Sequence, residues 1–481
     1  MFELLKQMYT VLKLTPPGRI PFVGHGSFHD CCLSVRLIYY LAASIFSMKN
    51  IVLTILSMSV GLLSTGQSAN KVIKLKEVKR IEKTLSSDEM QGRRTFTPGI
   101  EKASAFIEAE FKKAGLQTLP GATNFRQEFS MQEAEPLSAN ISLDGVKVPD
   151  SLIAVFSFKQ RASFTEKDSI EVVRITAADK FGPKFYQYYQ SSKNLLVLVD
   201  TSFKKRISAI KQRSNISAAT KDNSVIFVFV NAPAKTFSID VTNAVTSKSL
   251  NNVAGILPGK SKPNEYVIFS AHYDHIGVGS PAEGMPHDQT DSIFNGANDD
   301  AAGSTAVIML AKYFKKLNNN ERSIIFVTFV AEEIGGYGAQ HFSSQLKPEE
   351  IMAMFNIEMI GTESKWGKNS AYITGFEKSS MGTILQKNLA GSSFTFQADP
   401  YPEQQLFYRS DNATLARLGV PAHTISTSKM DSEPNYHKAS DEIETLDLQN
   451  MTDIIKAIAL SSTSIVKGID TPTRVDTTQL R

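Results

Sequence analysis

Apolar positions recur at helical spacing in two stretches beyond residue 70. Leu75, Val78, Ile81 and Leu85 form the first, and Ala103, Phe106, Ile107, Phe111 and Ala114 the second, which ends at Gly115, a residue suited to a helix C-cap. The polar segment between them, 88–94, predicts a hinge. Over 135–246 the pattern changes to short apolar runs, clearest at 194–200 and 224–230, separated by Lys, Ser and Asn, and it predicts strands. From Asn251 onward strand and helix signals alternate. Residues 266–271 and 323–331 predict buried strands, 352–357, 371–374 and 421–427 three more, 301–317 a helix with Val307, Leu310, Phe314 and Leu317 on one stripe, and 446–467 a closing amphipathic helix. Such alternation predicts an α/β fold: a mostly parallel, mixed sheet with helices on both faces, carrying an inserted β-rich domain. Ligands bind such sheets beyond the carboxyl ends of the strands.

Composition narrows the partners. With 481 residues, 42% hydrophobic and 21% charged, the chain is neither a disordered tail nor a multi-spanning membrane protein, and about two domains are expected. A net charge of +4, from 52 basic and 48 acidic residues, makes no electrostatic case for nucleic acid or an anionic membrane. Cys31 and Cys32 are the only cysteines, so a disulfide framework, a CxxC zinc cluster and a downstream thiol nucleophile are excluded.

Met48-Lys49-Asn50, the apolar stretch 51–63 and the small or polar residues 64–69 read as a secretory signal peptide initiated at Met48. The apolar run at 37–46 offers an alternative, one uncleaved membrane anchor interrupted by Lys49. The expected division is 1–69 extension and signal peptide, 70–134 N-terminal helices, 135–246 inserted domain, 247–470 catalytic domain and 471–481 tail.

The candidate chemistry lies late in the chain. No histidine occurs between residues 70 and 271, and six of the eight fall between His272 and His437. The strand at 266–271 delivers His272 and Asp274 in His-Tyr-Asp-His, where residues two apart share a face and a carboxylate can orient an imidazole; a strand-end histidine can equally be structural. Gly296-Ala297-Asn298-Asp299-Asp300 precedes a helix, and capping explains one acidic residue but not two. Glu332-Glu333 follows a buried strand, Glu358 ends the next, and His437 sits between the last strand and the last helix. His272, Asp299, Glu333, Glu358 and His437 form a nitrogen and oxygen set suited to two divalent ions, zinc first, with one carboxylate bridging.

Taken in order, 252–259, 271–277, 295–303, Ala331-Glu332-Glu333, 356–361 and Tyr436-His437 resemble the motifs of the M28 family of zinc aminopeptidases. The resemblance implies that Asp299 bridges two zinc ions, with His272 and Glu358 completing one site and Glu333 and His437 the other. It implies Glu332 as general base, Tyr436 as a residue polarising the scissile carbonyl, Asp274 and Asp300 behind the ligands, and a cis peptide at Asp299–Asp300. Two positions depart from the family pattern: Glu358 stands where aspartate is usual, and Asn412, in Arg409-Ser410-Asp411-Asn412, where relatives have histidine. The 135–246 region occupies the place where some relatives insert a protease-associated domain, and 194–203 and 224–230 resemble its strands loosely.

The expected function is a secreted dizinc aminopeptidase acting on peptides with a free N-terminus, with a membrane as partner only if the N-terminal segment stays uncleaved. Three alternatives share the fold: a glutaminyl cyclase-like acyltransferase with one zinc, a metallo-carboxypeptidase using Arg409 as carboxylate anchor, and a binding protein that has lost its ions. Zinc counting separates the first, blocked peptides the second, and the retained ligand set weighs against the third.

Overall fold

In the computed structural model, which describes residues 69–211, 216–217, 222–231, 233–279 and 291–480, the continuous apolar runs of the C-terminal half become the buried middle of an eleven-stranded sheet. The apolar runs at 37–46 and 51–63 lie outside the described residues, among which no helix is long and apolar enough to cross a membrane. Lys262–His272 lies between Ile351–Ile357 and Arg322–Phe329, parallel to both, and Ala422–Ser426 is parallel to Ile351–Ile357. Every residue of Arg322–Phe329 is buried, as a strand covered on both faces requires. Ser370–Ile373 pairs antiparallel with Ala422–Ser426, and Phe237–Leu257 antiparallel with Arg322–Phe329, so the sheet is mixed around a parallel centre.

Leu75–Leu85, Pro98–Ala114, Ala302–Leu317 and Leu448–Ser461 pack on one another over one face, burying Val78, Ile81, Ile107, Phe111, Val307, Leu310 and Ile458. Tyr337–Ser344 and Asn412–Ala416 cover the other, setting Ala339, Phe342 and Leu415 in one cluster with Ile268, Ile325 and Val327. This is the α/β arrangement expected. The closing helix is shorter than 446–467: it ends at Ser461, and a separate turn covers Thr463–Val466. The hydroxyls of Ser462 and Thr463 donate to the carbonyls of Ile458 and Ala459, competition with the helical ladder that the apolar periodicity does not reveal.

The two longest strands exceed the short runs that the apolar pattern predicts over 135–246. Arg126–Leu143 and Phe237–Leu257 form an antiparallel ribbon that leaves the main sheet beside Arg322–Phe329 and pairs at its outer end with Arg161–Thr165. Much of Arg126–Leu143 is half-buried or exposed, so it lacks the strict alternation of a strand with one face in a core. At the end of the ribbon is a four-stranded sheet in the order Ile153–Ser157, Ser224–Phe229, Leu195–Val199, Glu171–Ile175. It is not purely β: the aromatic-rich helix Phe181–Tyr189 packs Phe185 against Phe156 and Phe227 on one face.

A buried carboxyl inside the helical layer gives the fold a pH signature. Glu82 is fully buried; one oxygen accepts from Thr305 Oγ1 at 2.8 Å and the other has no partner. Burial pushes its pKa from 4.5 up to about 8. A carboxyl whose folded pKa is raised destabilises the fold progressively as pH climbs from the unfolded value to the folded one, here over about pH 4.5 to 8. Glu82→Gln removes that titration. The variant is expected to match the parent near pH 5 and to exceed it at pH 9 by about 2–4 kcal/mol, measured by denaturant midpoints across pH.

Candidate active site

Three adjacent parallel strands run out at one edge, and each releases a polar side chain there. His272 ends Lys262–His272 and is paired with Phe329, so that Glu332 and Glu333 emerge just beyond it on the neighbouring strand. Glu358 follows Ile351–Ile357 on the other side. Asp299 comes from the segment Ala297–Ala301 ahead of the Ala302–Leu317 helix, and the Asp299–Asp300 peptide is cis. His437 comes from the loop after Ala422–Ser426.

The five candidate ligands converge. Asp299 Oδ1 is 3.2 Å from His272 Nε2, and Asp299 Oδ2 is 3.3 Å from His437 Nε2, which is 3.2 Å from Glu333 Oε2. Donor atoms of His272, Asp299 and Glu358 lie within 4.8 Å of one another, as do those of His275, Asp299 and Glu333. Asp299 thus belongs to both groups. A tetrahedral zinc site with bonds of about 2.0–2.1 Å sets its ligands about 3.3 Å apart, the spacing seen here. His272 Nε2 and Glu358 Oε2 are buried without a hydrogen-bond partner, a cost a cation would offset. The residues present therefore fit metal ions.

Electrostatics point the same way. Burial, with the Glu358 and Asp411 charges added, holds Glu332 well above the usual carboxylate range. Burial and Asp299 likewise raise Glu358. Asp411, neither of whose oxygens is hydrogen-bonded, is pushed up to about 8 by burial and by Glu358. Against burial and the Asp299 charge, His275 and His437 hold Glu333 at about 2, and against burial Asp299 and Glu333 push His437 up to about 10. Carboxylates outnumber the cationic partners on hand, a balance suited to divalent cations.

The surrounding groups tie these loops together. Asp300 accepts from the N–H groups of His272, Gly303 and Met359, spanning the Asp299 loop and two strand ends. Gly303 has no room for a Cβ, which would meet that carboxylate and the Ile357 carbonyl. Asp274 differs in detail from the expectation. Its carboxylate is 3.7 Å from His272 Nδ1, while its main-chain carbonyl is nearer at 3.1 Å. The carboxylate instead accepts from the N–H groups of Glu332 and Glu333, at 3.1 and 3.4 Å, and from Thr95 Oγ1.

Two residues without a local signal are equally engaged. Asp441 accepts from the N–H groups of Asn298 and Asp299 at 2.9 and 3.0 Å. Arg93, fully buried, donates to the carbonyls of Leu85, Tyr273, Asn295 and Gly296, clamping the His272 loop to the Asp299 loop. In sequence it is one of two arginines in a polar hinge. Asn412 is structural: buried, it bonds Phe407 O, Ala422 O and Thr424 Oγ1.

A cleft of about 220 Å³ opens over the site; Asp299, Glu332, Glu333, Glu358, Tyr436 and His437 line it together with Met359, Tyr372, Leu406, Met430 and Arg409. Tyr436 stacks on His437, ring centroids 4.0 Å apart.

Residues 252–461 match the model of Peptidase family M28. A probable leucine aminopeptidase of Trichophyton verrucosum is 26% identical over 43% of this chain and 54% of its own length. Aminopeptidase YwaD of Bacillus subtilis is 26% identical over 44% and 45%. The chain thus spans about half the length of the curated relatives it matches. The solved aminopeptidase of Aneurinibacillus sp. strain AM-1 superimposes with a TM-score of 0.50 at 16% identity, over 83% of this chain and 95% of that one, a likeness of fold.

Proposed function

Residues 252–461 belong to peptidase family M28, and from that premise we propose that the chain is a zinc aminopeptidase with a two-ion centre, removing residues from the free N-terminus of peptides. The observation that carries the reading is Asp299, whose two oxygens face His272 on one side and His437 on the other. His272, Asp299 and Glu358 would hold one ion; Asp299, Glu333 and His437 would hold the other. Bound zinc supplies Lewis acidity and lowers the pKa of a water toward ~7.

The chain's own groups do the rest. Glu332, in neither ligand group but in the cleft wall, takes a proton from the attacking water and passes it to the leaving amine. Tyr436 keeps its phenol protonated, because burial and the Asp299 and Glu333 charges raise its pKa, and it donates to the oxygen that gains charge. The acidic wall receives the substrate's ammonium group, and a cleft of about 220 Å³ has room for one side chain beyond it.

Export by the 48–69 segment and the division into N-terminal helices at 70–134, an inserted domain at 135–246, a catalytic domain at 247–470 and a short tail belong to the same proposal. The test is zinc counting of purified protein together with hydrolysis of free, N-acetylated and C-amidated dipeptides. Two zinc per chain, cleavage of free and C-amidated substrates and none of the N-acetylated one are expected. Cleavage that survives N-acetylation, or demands a free carboxylate, overturns it.

A further inference from the structure

His275 is absent from the ligand set yet lies as close to it as any member. Its side chain is fully buried, and its Nδ1 is 2.7 Å from Glu333 Oε1 and 4.0 Å from Asp299 Oδ2. The three ligand-to-ligand distances already given are 3.2, 3.3 and 3.2 Å, the edge lengths of a tetrahedral site. His275 departs from that spacing in both directions. At 2.7 Å it is too near Glu333 for two ligands of one ion and right for an N–H donating to a carboxylate, and at 4.0 Å it is too far from Asp299.

We infer that His275 is a positioning residue for Glu333: it donates Nδ1–H to Oε1 and leaves Oε2, the oxygen facing His437, as the single ligand atom. The inference rests on the two-ion reading. Nδ1 faces a carboxylate oxygen at 2.7 Å, which can only accept, so the proton of that bond is on Nδ1, while Nε2 of the ring is buried without a hydrogen-bond partner. The ring is fixed on its remaining sides. The His275 N–H donates to Arg93 O at 3.2 Å, and Gly296 lies against the ring, where a Cβ would come 2.5 Å from its Cγ and Cδ2. A carboxylate held this way favours binding a cation through Oε2 alone, which would leave one coordination position for water or substrate, as a catalytic rather than a structural zinc site requires.

The test is zinc titration of the full chain after chelator treatment, comparing the parent with His275→Asn and His275→Leu. These replacements have nearly the same shape, but only asparagine keeps an N–H near the Nδ1 position, and neither serves as a zinc ligand. The parent should bind two equivalents. His275→Leu should weaken one of them about 10- to 100-fold and leave the other unchanged, while His275→Asn stays within about threefold of the parent. Equal losses in both variants, or parental affinity in His275→Leu, overturn the inference. If the leucine variant does not fold, the asparagine variant alone decides, and a tenfold loss there overturns it. A parent that takes up a single equivalent defeats the two-ion reading itself, visibly before any variant is compared, and the inference with it.

Discussion

Glu332→Gln is expected to lower kcat about a thousandfold, within the 10²–10⁴ range that a positioned general base contributes, with zinc content and KM close to the parent's. Among the described residues, Glu332 is the carboxylate of the cleft wall that belongs to neither ligand group. Its main-chain N–H is bound to Asp274 Oδ1 at 3.1 Å, so the backbone that aims the side chain survives the substitution. Burial and the neighbouring Glu358 and Asp411 charges raise its proton affinity above that of an exposed glutamate, the direction a base working near neutrality needs. Glutamine preserves the shape and loses the acceptor of the proton. A variant that keeps its zinc and more than a tenth of parental kcat removes Glu332 from the proposed role; lost zinc would instead make it a ligand.

The parts of this centre that were legible in the sequence are those whose signal is local. A buried parallel strand is written as an unbroken apolar run, and whatever polar residue follows it must emerge at the sheet's carboxyl edge; this is why His272, Glu332, Glu333 and Glu358 could be read, and why their neighbours in the sheet bring them together. Asp299 stood out as one acidic residue more than a helix cap uses. The groups that brace the site have no such signature. Arg93 lies 180 residues from Tyr273 and 202 from Asn295, and its role exists only once the N-terminal helices have packed on the sheet. Asp441 reaches the Asn298 and Asp299 amides across more than 140 positions. His275 stands within His-Tyr-Asp-His, where only its distance from Glu333 separates a hydrogen-bond donor from a ligand. The strand Arg126–Leu143 has a weak apolar signature for the opposite reason: main-chain pairing with Phe237–Leu257 holds it along its whole length, and only scattered positions such as Met131, Ala134 and Ile141 are buried.

Asp299→Asn is expected to remove both ions at once, and this separates a shared ligand from two independent ones. Each oxygen of Asp299 faces a different histidine, Oδ1 toward His272 and Oδ2 toward His437. Asparagine offers one oxygen and, at the other position, an N–H₂ group that cannot bind a cation. The charge that both groups share disappears as well. Removing one partner from a buried ionic set costs about 3–5 kcal/mol, about 10²- to 10⁴-fold in affinity, and here the loss falls on both sites. Glu333→Gln and His437→Ala, by contrast, touch one group each and should leave one equivalent bound, as should Glu358→Gln on the other side. The backbone around position 299 should persist in the variant, because Asp441 holds the main-chain N–H of Asn298 and of residue 299 rather than the side chain. Metal analysis after gel filtration, with circular dichroism as the check on folding, reads the outcome directly. Asp299→Asn should retain essentially no zinc and no measurable hydrolysis, and the three single-site variants about one zinc each. If Asp299→Asn keeps one tightly held ion, Asp299 serves a single site, and the shared-carboxylate centre on which the proposed function rests is wrong.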